Sequence, residues 1–159
     1  MNAHVGRLAA ALASLCIGIG GARVQAQPLQ CSGAPTSTRL IIDVEGVRSD
    51  RGFVVGTLYG PDKRRFLRKH GWLLVWRTPA RRGQTVLCTY LPAPGYYAAV
   101  IYQDADDNGV LDQGLFGFPL EGYGFSNNAR PFLGPPSLRS AKFFARQGDT
   151  VLHVRLRYP

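Results

Sequence analysis

Tyr96-Tyr97-Ala98-Ala99-Val100-Ile101-Tyr102 is an unbroken apolar and aromatic run, stopped on one side by Pro92-Ala93-Pro94-Gly95 and on the other by acids that begin at Asp104. So short a run between such stops is below the usual length of a helix, and its composition favours extended backbone. A strand with no polar face is covered on both sides, so it belongs at the centre of a sheet, and the rest of the chain must supply the cover. Other runs fit that demand. Leu40, Ile42 and Val44 alternate with Ile41, Asp43 and Glu45, and residues 53–59 follow the turn-like Ser49-Asp50-Arg51-Gly52, which predicts a hairpin between these two strands. Residues 72–76 and, after Arg81-Arg82-Gly83, residues 85–91 read as further strands. Residues 151–158 close the domain, with Val151, His153, Arg155 and Arg157 on one face and Leu152, Val154, Leu156 and Tyr158 on the other. Pro61 and Asp62 open residues 63–70, which read as a short helix with Phe66 and Leu67 inward. The expectation is a mainly all-β fold over residues 39–159, a single-domain β-sandwich of about seven strands with one or two short helices.

Ahead of that domain, Arg7 precedes an apolar and small-residue stretch from Leu8 to Ala22, followed by Arg23-Val24-Gln25-Ala26. Base, apolar stretch and small-residue end are the order of a signal peptide over residues 1–26, cut after Ala26. The stretch is shorter than the about 20 apolar residues of a membrane-spanning helix and holds Gly18, Gly20 and Gly21, so no anchor is expected to remain after cleavage. Residues 27–38 carry no periodic pattern and read as a flexible segment. Of the three cysteines, Cys16 leaves with the signal, while Cys31 and Cys88 remain as an even pair that an oxidising compartment would join in a disulfide. The expected location is the periplasm or the exterior of the cell.

The residues after the central strand carry chemistry. Asp104-Ala105-Asp106-Asp107-Asn108-Gly109-Val110-Leu111-Asp112 has the alternating oxygen donors and the central glycine that open a calcium loop. Calcium takes six to eight oxygens, and alternate residues of a tight loop can aim theirs inward. Asp104, Asp106 and Asn108 would supply side-chain oxygens, Val110 its carbonyl, and Asp112 a direct or water-mediated contact. The position where a helical calcium hand places a bidentate glutamate is Leu115, so Glu121 is expected to fold back in its place. Without a rigid bidentate ligand, the expected affinity is weak, on the order of 0.1–1 mM. A turn at Asp107-Asn108-Gly109 needs no ion, but neither does it need Asp104, Asp106 and Asp112.

The stretch Gly95 to Val100, the acidic loop, and Gly117-Phe118-Pro119-Leu120-Glu121-Gly122-Tyr123-Gly124-Phe125-Ser126-Asn127-Asn128 together resemble domain-of-unknown-function family 2141, a group of exported bacterial proteins. The resemblance runs from about Leu40 to the C-terminus. It implies a compact β-sandwich and export and says nothing of activity. Gln103 departs from the histidine common in the family just before the first aspartate; any chemistry of that histidine is missing here.

Two further segments invite a binding role. Tyr123, Phe125, Ser126, Asn127 and Asn128 combine aromatic and hydrogen-bonding groups suited to a surface, or else pack as a loop on the sheet end. Lys63, Arg64, Arg65, Arg68 and Lys69 interleave with Phe66 and Leu67, as a helix lying on a polyanion or an anionic membrane surface would, or as a solvated face with two buried anchors. Five of the ten acids fall between Asp104 and Glu121, leaving the rest of a chain with 19 bases strongly basic. Export argues against nucleic acid as the partner; an envelope protein or glycan is expected instead. Only His70 and His153 remain after cleavage, and no nucleophile motif is present, so the expectation is a non-catalytic binding or accessory module with a calcium loop, with an envelope polyanion or membrane-surface binder through residues 63–69 as the alternative and a metal-dependent hydrolase behind both.

Overall fold

The computed structural model of the protein describes residues 29–159. The signal-peptide reading of residues 1–26 lies outside them. In chain order the strands are β1 (Thr38–Val47), β2 (Phe53–Tyr59), β3 (Leu74–Pro79), β4 (Gly83–Tyr90), β5 (Gly95–Asp104), β6 (Tyr123–Phe125), β7 (Phe143–Ala145) and β8 (Gly148–Arg155). The helix α1 (Leu138–Ala141) and 3-10 turns at Leu115–Gly117 and Ser126–Asn128 complete the regular elements. One sheet has the order β4-β1-β8; the other runs β3-β2-β5-β6, with β7 also pairing to β5. The fold is mainly β and sandwich-like, as expected.

Side-chain alternation builds the core. Leu40, Ile42 and Val44 of β1, Leu87 of β4 and Val154 of β8 face Val54 and Leu58 of β2, Trp76 of β3, and Ala99 and Ile101 of β5, all buried between the sheets. The other face of the five-stranded sheet has its own cover. There Tyr59, Ala98 and Val100 pack with Phe66, Phe125, Ala129 and Ala141. Cover on both faces is the reason the run that became β5 lacks polar alternation.

Pairing differs from the hairpin expectation. β1 pairs antiparallel with β4 and parallel with β8, whereas β2 pairs with β3 and β5. The turn before Gly52 therefore carries the chain from one sheet to the other. A turn signal marks a change of direction but not which sheet receives the next strand, and β2, mostly buried on both faces, finds its cover inside the larger sheet.

Residues 63–70 are not a helix. Arg65 and Phe66 N–H groups donate to the Asp62 carbonyl, Arg68 to Arg65 and Gly71 to Arg68, while Leu67 and His70 both stand at φ +57°. This succession of turns curls over the sheet so that Phe66 meets Tyr59 edge to face at 5.3 Å. The third strand begins at Leu74 rather than Trp72, leaving Trp72 partly exposed and Trp76 buried. Strands β6 and β7 are three residues each, too short to leave a periodic trace in the sequence.

What reads as an unpatterned lead-in is fastened to β4. Ser32 N–H donates to the Cys88 carbonyl and the Ser32 carbonyl accepts from Tyr90 N–H, both at 3.0 Å, and the Thr36 hydroxyl donates to the Leu91 carbonyl. Cys31 and Cys88 stand at disulfide distance, their Cα atoms 4.4 Å apart.

Candidate metal site at the end of the central strand

β2 begins where β5 ends, Phe53 opposite Asp104, and the acidic loop leaves from that point. The neighbouring turn fits only because residue 52 is glycine. Its φ is +66°, and a Cβ there would lie 1.9 Å from the Asp104 carbonyl oxygen. Asp104 is fully buried, and its two carboxylate oxygens accept from the N–H groups of Asn108 (3.1 Å) and Gly109 (2.9 Å). The loop is thus wrapped around one carboxylate.

Glu121 returns to the loop as the sequence leads one to expect. Its Oε1 accepts from Ala105 N–H at 3.0 Å and its Oε2 from Asp112 N–H at 3.2 Å, clamping both ends. Asp104, Asp106 and Glu121 each offer one oxygen within 4.8 Å of the others, an arrangement that could hold a metal ion. The remaining expected ligands sit differently. Asn108 Nδ2 donates to Asp106 Oδ2 and Asp112 Oδ1, while its Oδ1 accepts from Val110 N–H. The Asn108 amide therefore stands as a donor between carboxylates and would have to turn over to ligate. Asp112 lies outside the three-carboxylate group, and the Val110 side chain is exposed.

Charge around the group is one-sided. Arg77 of β3 passes over the Phe53 ring, 4.1 Å from its centroid, and pairs with Asp107 at 2.6 Å. Among the described residues no ion pair reaches Asp104, Asp106 or Glu121. Tyr102, two residues before Asp104, has its phenol pushed up to about 12, first by burial and then by the negative charges of Asp104 and Glu121. Carboxylates this close repel one another unless something positive joins them.

Gln103 points the opposite way, between the sheets. Its amide nitrogen donates to the Ser49 carbonyl and hydroxyl, and its oxygen accepts from Arg48 N–H and the Tyr158 hydroxyl. The residue is a clamp between the sheets, and its partners hold the corner between β1 and β2.

The glycine-aromatic stretch after Glu121 also has structural duties. A Cβ on Gly122 would lie 2.2 Å from Tyr158 Cζ, and one on Gly124 would lie 2.7 Å from Val154 Cγ1, so both glycines admit the last strand and the chain end. Residues 42–153, from β1 to β8, match the family described as "Uncharacterized protein conserved in bacteria (DUF2141)". This chain is a DUF2141 protein. No curated protein and no solved structure matches it. The acidic loop, Glu121 and the glycine-aromatic stretch all lie inside the DUF2141 match, and Cys31 lies before it.

Of the candidate surface residues in this DUF2141 domain, Phe125 and Ser126 are buried. Asn127 Nδ2 donates to the Ser140 and Lys142 carbonyls, and Asn128 joins the His153 carbonyl and the Arg155 N–H. Tyr123 is partly open and packs against the outer cluster, while Asn127 and Asn128 stay exposed with their side-chain amides bonded to the backbone. Lys63, Arg64, Arg65, Arg68 and Lys69 are not drawn to the acidic loop. Of the ion pairs described, only Arg64 with Asp62 involves them, and that contact holds the Asp62 carboxyl below its ordinary value. Two surface hollows open elsewhere, one lined by Leu29, Arg81 and Val86 among others, the second by Ser37, Tyr90 and Asp149 among others; no acidic-loop residue lines either. Among the described residues no helix is long and apolar enough to cross a membrane.

Proposed function

We propose that the protein is an exported, non-catalytic binding or accessory module whose acidic loop is steadied by calcium. The observation that carries the reading is the carboxylate trio of Asp104, Asp106 and Glu121, with oxygens within 4.8 Å and no basic partner among the described residues. An all-oxygen donor set suits a hard cation, and the irregular loop suits the variable coordination of calcium better than the strict octahedron of magnesium. Backbone N–H groups already hold Asp104 and Glu121 in place, so an ion would complete a braced loop. The cysteine pair is compatible with export, and extracellular calcium concentrations match a weak site.

Thermal melting tests this. Ca²⁺ at about ten to a hundred times its dissociation constant should raise Tm by roughly 4–10 °C, from a linkage free energy of about 1.4–2.7 kcal/mol. Asp104→Ala should abolish the rise. Asp106→Asn leaves the backbone bonds to Asp104 and Glu121 intact and should reduce it while preserving the unligated fold. An unchanged Tm in the native protein over that range would sink the calcium assignment.

A further inference from the structure

The end of the molecule opposite the acidic loop has a different character. β5 runs from Gly95 to the loop at Asp104, so its first residues mark the other end. Tyr59, the last residue of β2, pairs with Ala98, and β7 pairs with Gly95, Tyr96 and Tyr97. The chain leaving β2 and the chain entering β7 therefore meet over the outer face of the sheet at this end. Phe66 and Leu67 of the first segment share one apolar cluster with Ala129 and Leu138, which bracket the loop of residues 130–137.

Both segments are basic. Residues 60–71 hold Lys63, Arg64, Arg65, Arg68 and Lys69 against the single acid Asp62, and residues 129–146 hold four bases and no acid. The second segment carries an apolar tip. Phe132 is 85 % exposed and Leu133 97 %. The tip is a tight turn in which Phe132 N–H donates to the Gly134 carbonyl, flanked by Pro131, Pro135 and Pro136, and Leu133 is held at φ +52°. Aromatic residues with a base beside them continue the surface. Tyr96 and Phe144, both about half exposed, stack edge to face at 5.1 Å, with Lys142 Nζ 4.8 Å from the Tyr96 centroid.

We propose that this basic end of the outer face docks on an anionic phospholipid surface, with Phe132 and Leu133 entering the headgroup region and the bases of the two segments meeting the phosphates. A stiff turn holding two large apolar side chains in water is unfavourable alone, and burial in a lipid interface removes that cost. Each base near an anionic leaflet adds a modest attraction, and two signals together give binding that neither gives alone. A soluble polyanion would use the bases but has no use for the tip. The acidic loop, at the far end of β5, would face away from the lipid.

Vesicle co-sedimentation in the presence of a chelator tests this separately from calcium. The purified protein should bind phosphatidylcholine vesicles that contain phosphatidylglycerol and not those made of phosphatidylcholine alone, and binding should fade as salt shortens the Debye length to about 3 Å. Replacing Arg68 and Lys69 together by glutamine should weaken binding about 25-fold, at about fivefold per base. The double variant Phe132→Ser, Leu133→Ser should weaken it about tenfold or more while Tm stays unchanged, since neither side chain packs in the fold. Absence of binding to phosphatidylglycerol vesicles would overturn the proposal. So would binding that the double serine variant leaves intact, or that heparin reproduces with the same affinity in both forms, since either result makes the tip irrelevant.

Discussion

Gly122 shows how a residue chosen for what it lacks can join distant parts of a chain. Its missing Cβ makes room for the Tyr158 ring, and the Tyr158 hydroxyl in turn donates to Gln103 beside the root of the acidic loop. Gly122→Ala should displace that ring and destabilise the fold by about 1–3 kcal/mol, measured as a lower urea midpoint with an unchanged slope. Ser126 is a second such position. Fully buried, its hydroxyl accepts from Ala99 N–H and donates to the Ala141 carbonyl, tying β5 to α1. Ser126→Ala leaves two buried backbone groups without this partner and should cost about 1–3 kcal/mol for each, whereas a surface role for Ser126 would leave the melting temperature unchanged. The sequence exposed the glycine-aromatic stretch as unusual. It did not reveal that Ser126, Asn127 and Asn128 spend their polar groups on the backbone of β5, α1 with the adjoining Lys142, and β8, because those partners lie up to 27 residues away.

At the scale of elements, β5 and β2 carry tyrosines whose titration reports their cover. Burial raises the phenols of Tyr59 at the end of β2, Tyr158 beyond β8, and Tyr102 on β5, the last to about 12. In each case the folded state keeps a proton that the unfolded chain releases near 10.0, so this contribution to stability is full below that value and is lost as pH rises through the raised folded value, about 12 for Tyr102. Melting temperature should therefore decline between about pH 10 and 12, and Tyr102→Phe should make the decline shallower. Strand positions were legible, since the alternation in β1 and the unbroken run of β5 are local properties. The turns over residues 63–70 were not. Their bases and apolar pair also fit a helix, and contact between Phe66 and Tyr59 overrides that preference.

For the whole molecule, the link between Cys31 and Cys88 joins a segment with little packing of its own to the three-stranded sheet. Closing a loop of 57 residues restricts the unfolded chain by about 4 kcal/mol in the chain-entropy picture. Reduction, or Cys31→Ser with Cys88→Ser, should lower unfolding free energy by up to that amount while leaving near-ultraviolet circular dichroism of the sandwich intact. Charge is also arranged at this scale. Five acids cluster at one end of β5 and two basic segments meet at the other, so the protein is a dipole along its central strand.

The central strand, the turn residues and the spacing of acids were written in the sequence by itself, because hydrophobic period, backbone freedom and alternating oxygen donors act over a few residues. Glu121 was within reach of the same reasoning, since only sixteen residues separate its carboxylate from Ala105. Tertiary structure alone decided that β1 lies between β4 and β8, that Gln103 is a clamp between sheets, and that a basic curl packs with the residues bracketing the loop that holds Phe132 and Leu133. Those outcomes depend on which apolar surfaces find each other across the fold, and a choice among many possible partners leaves no signature in neighbouring residues.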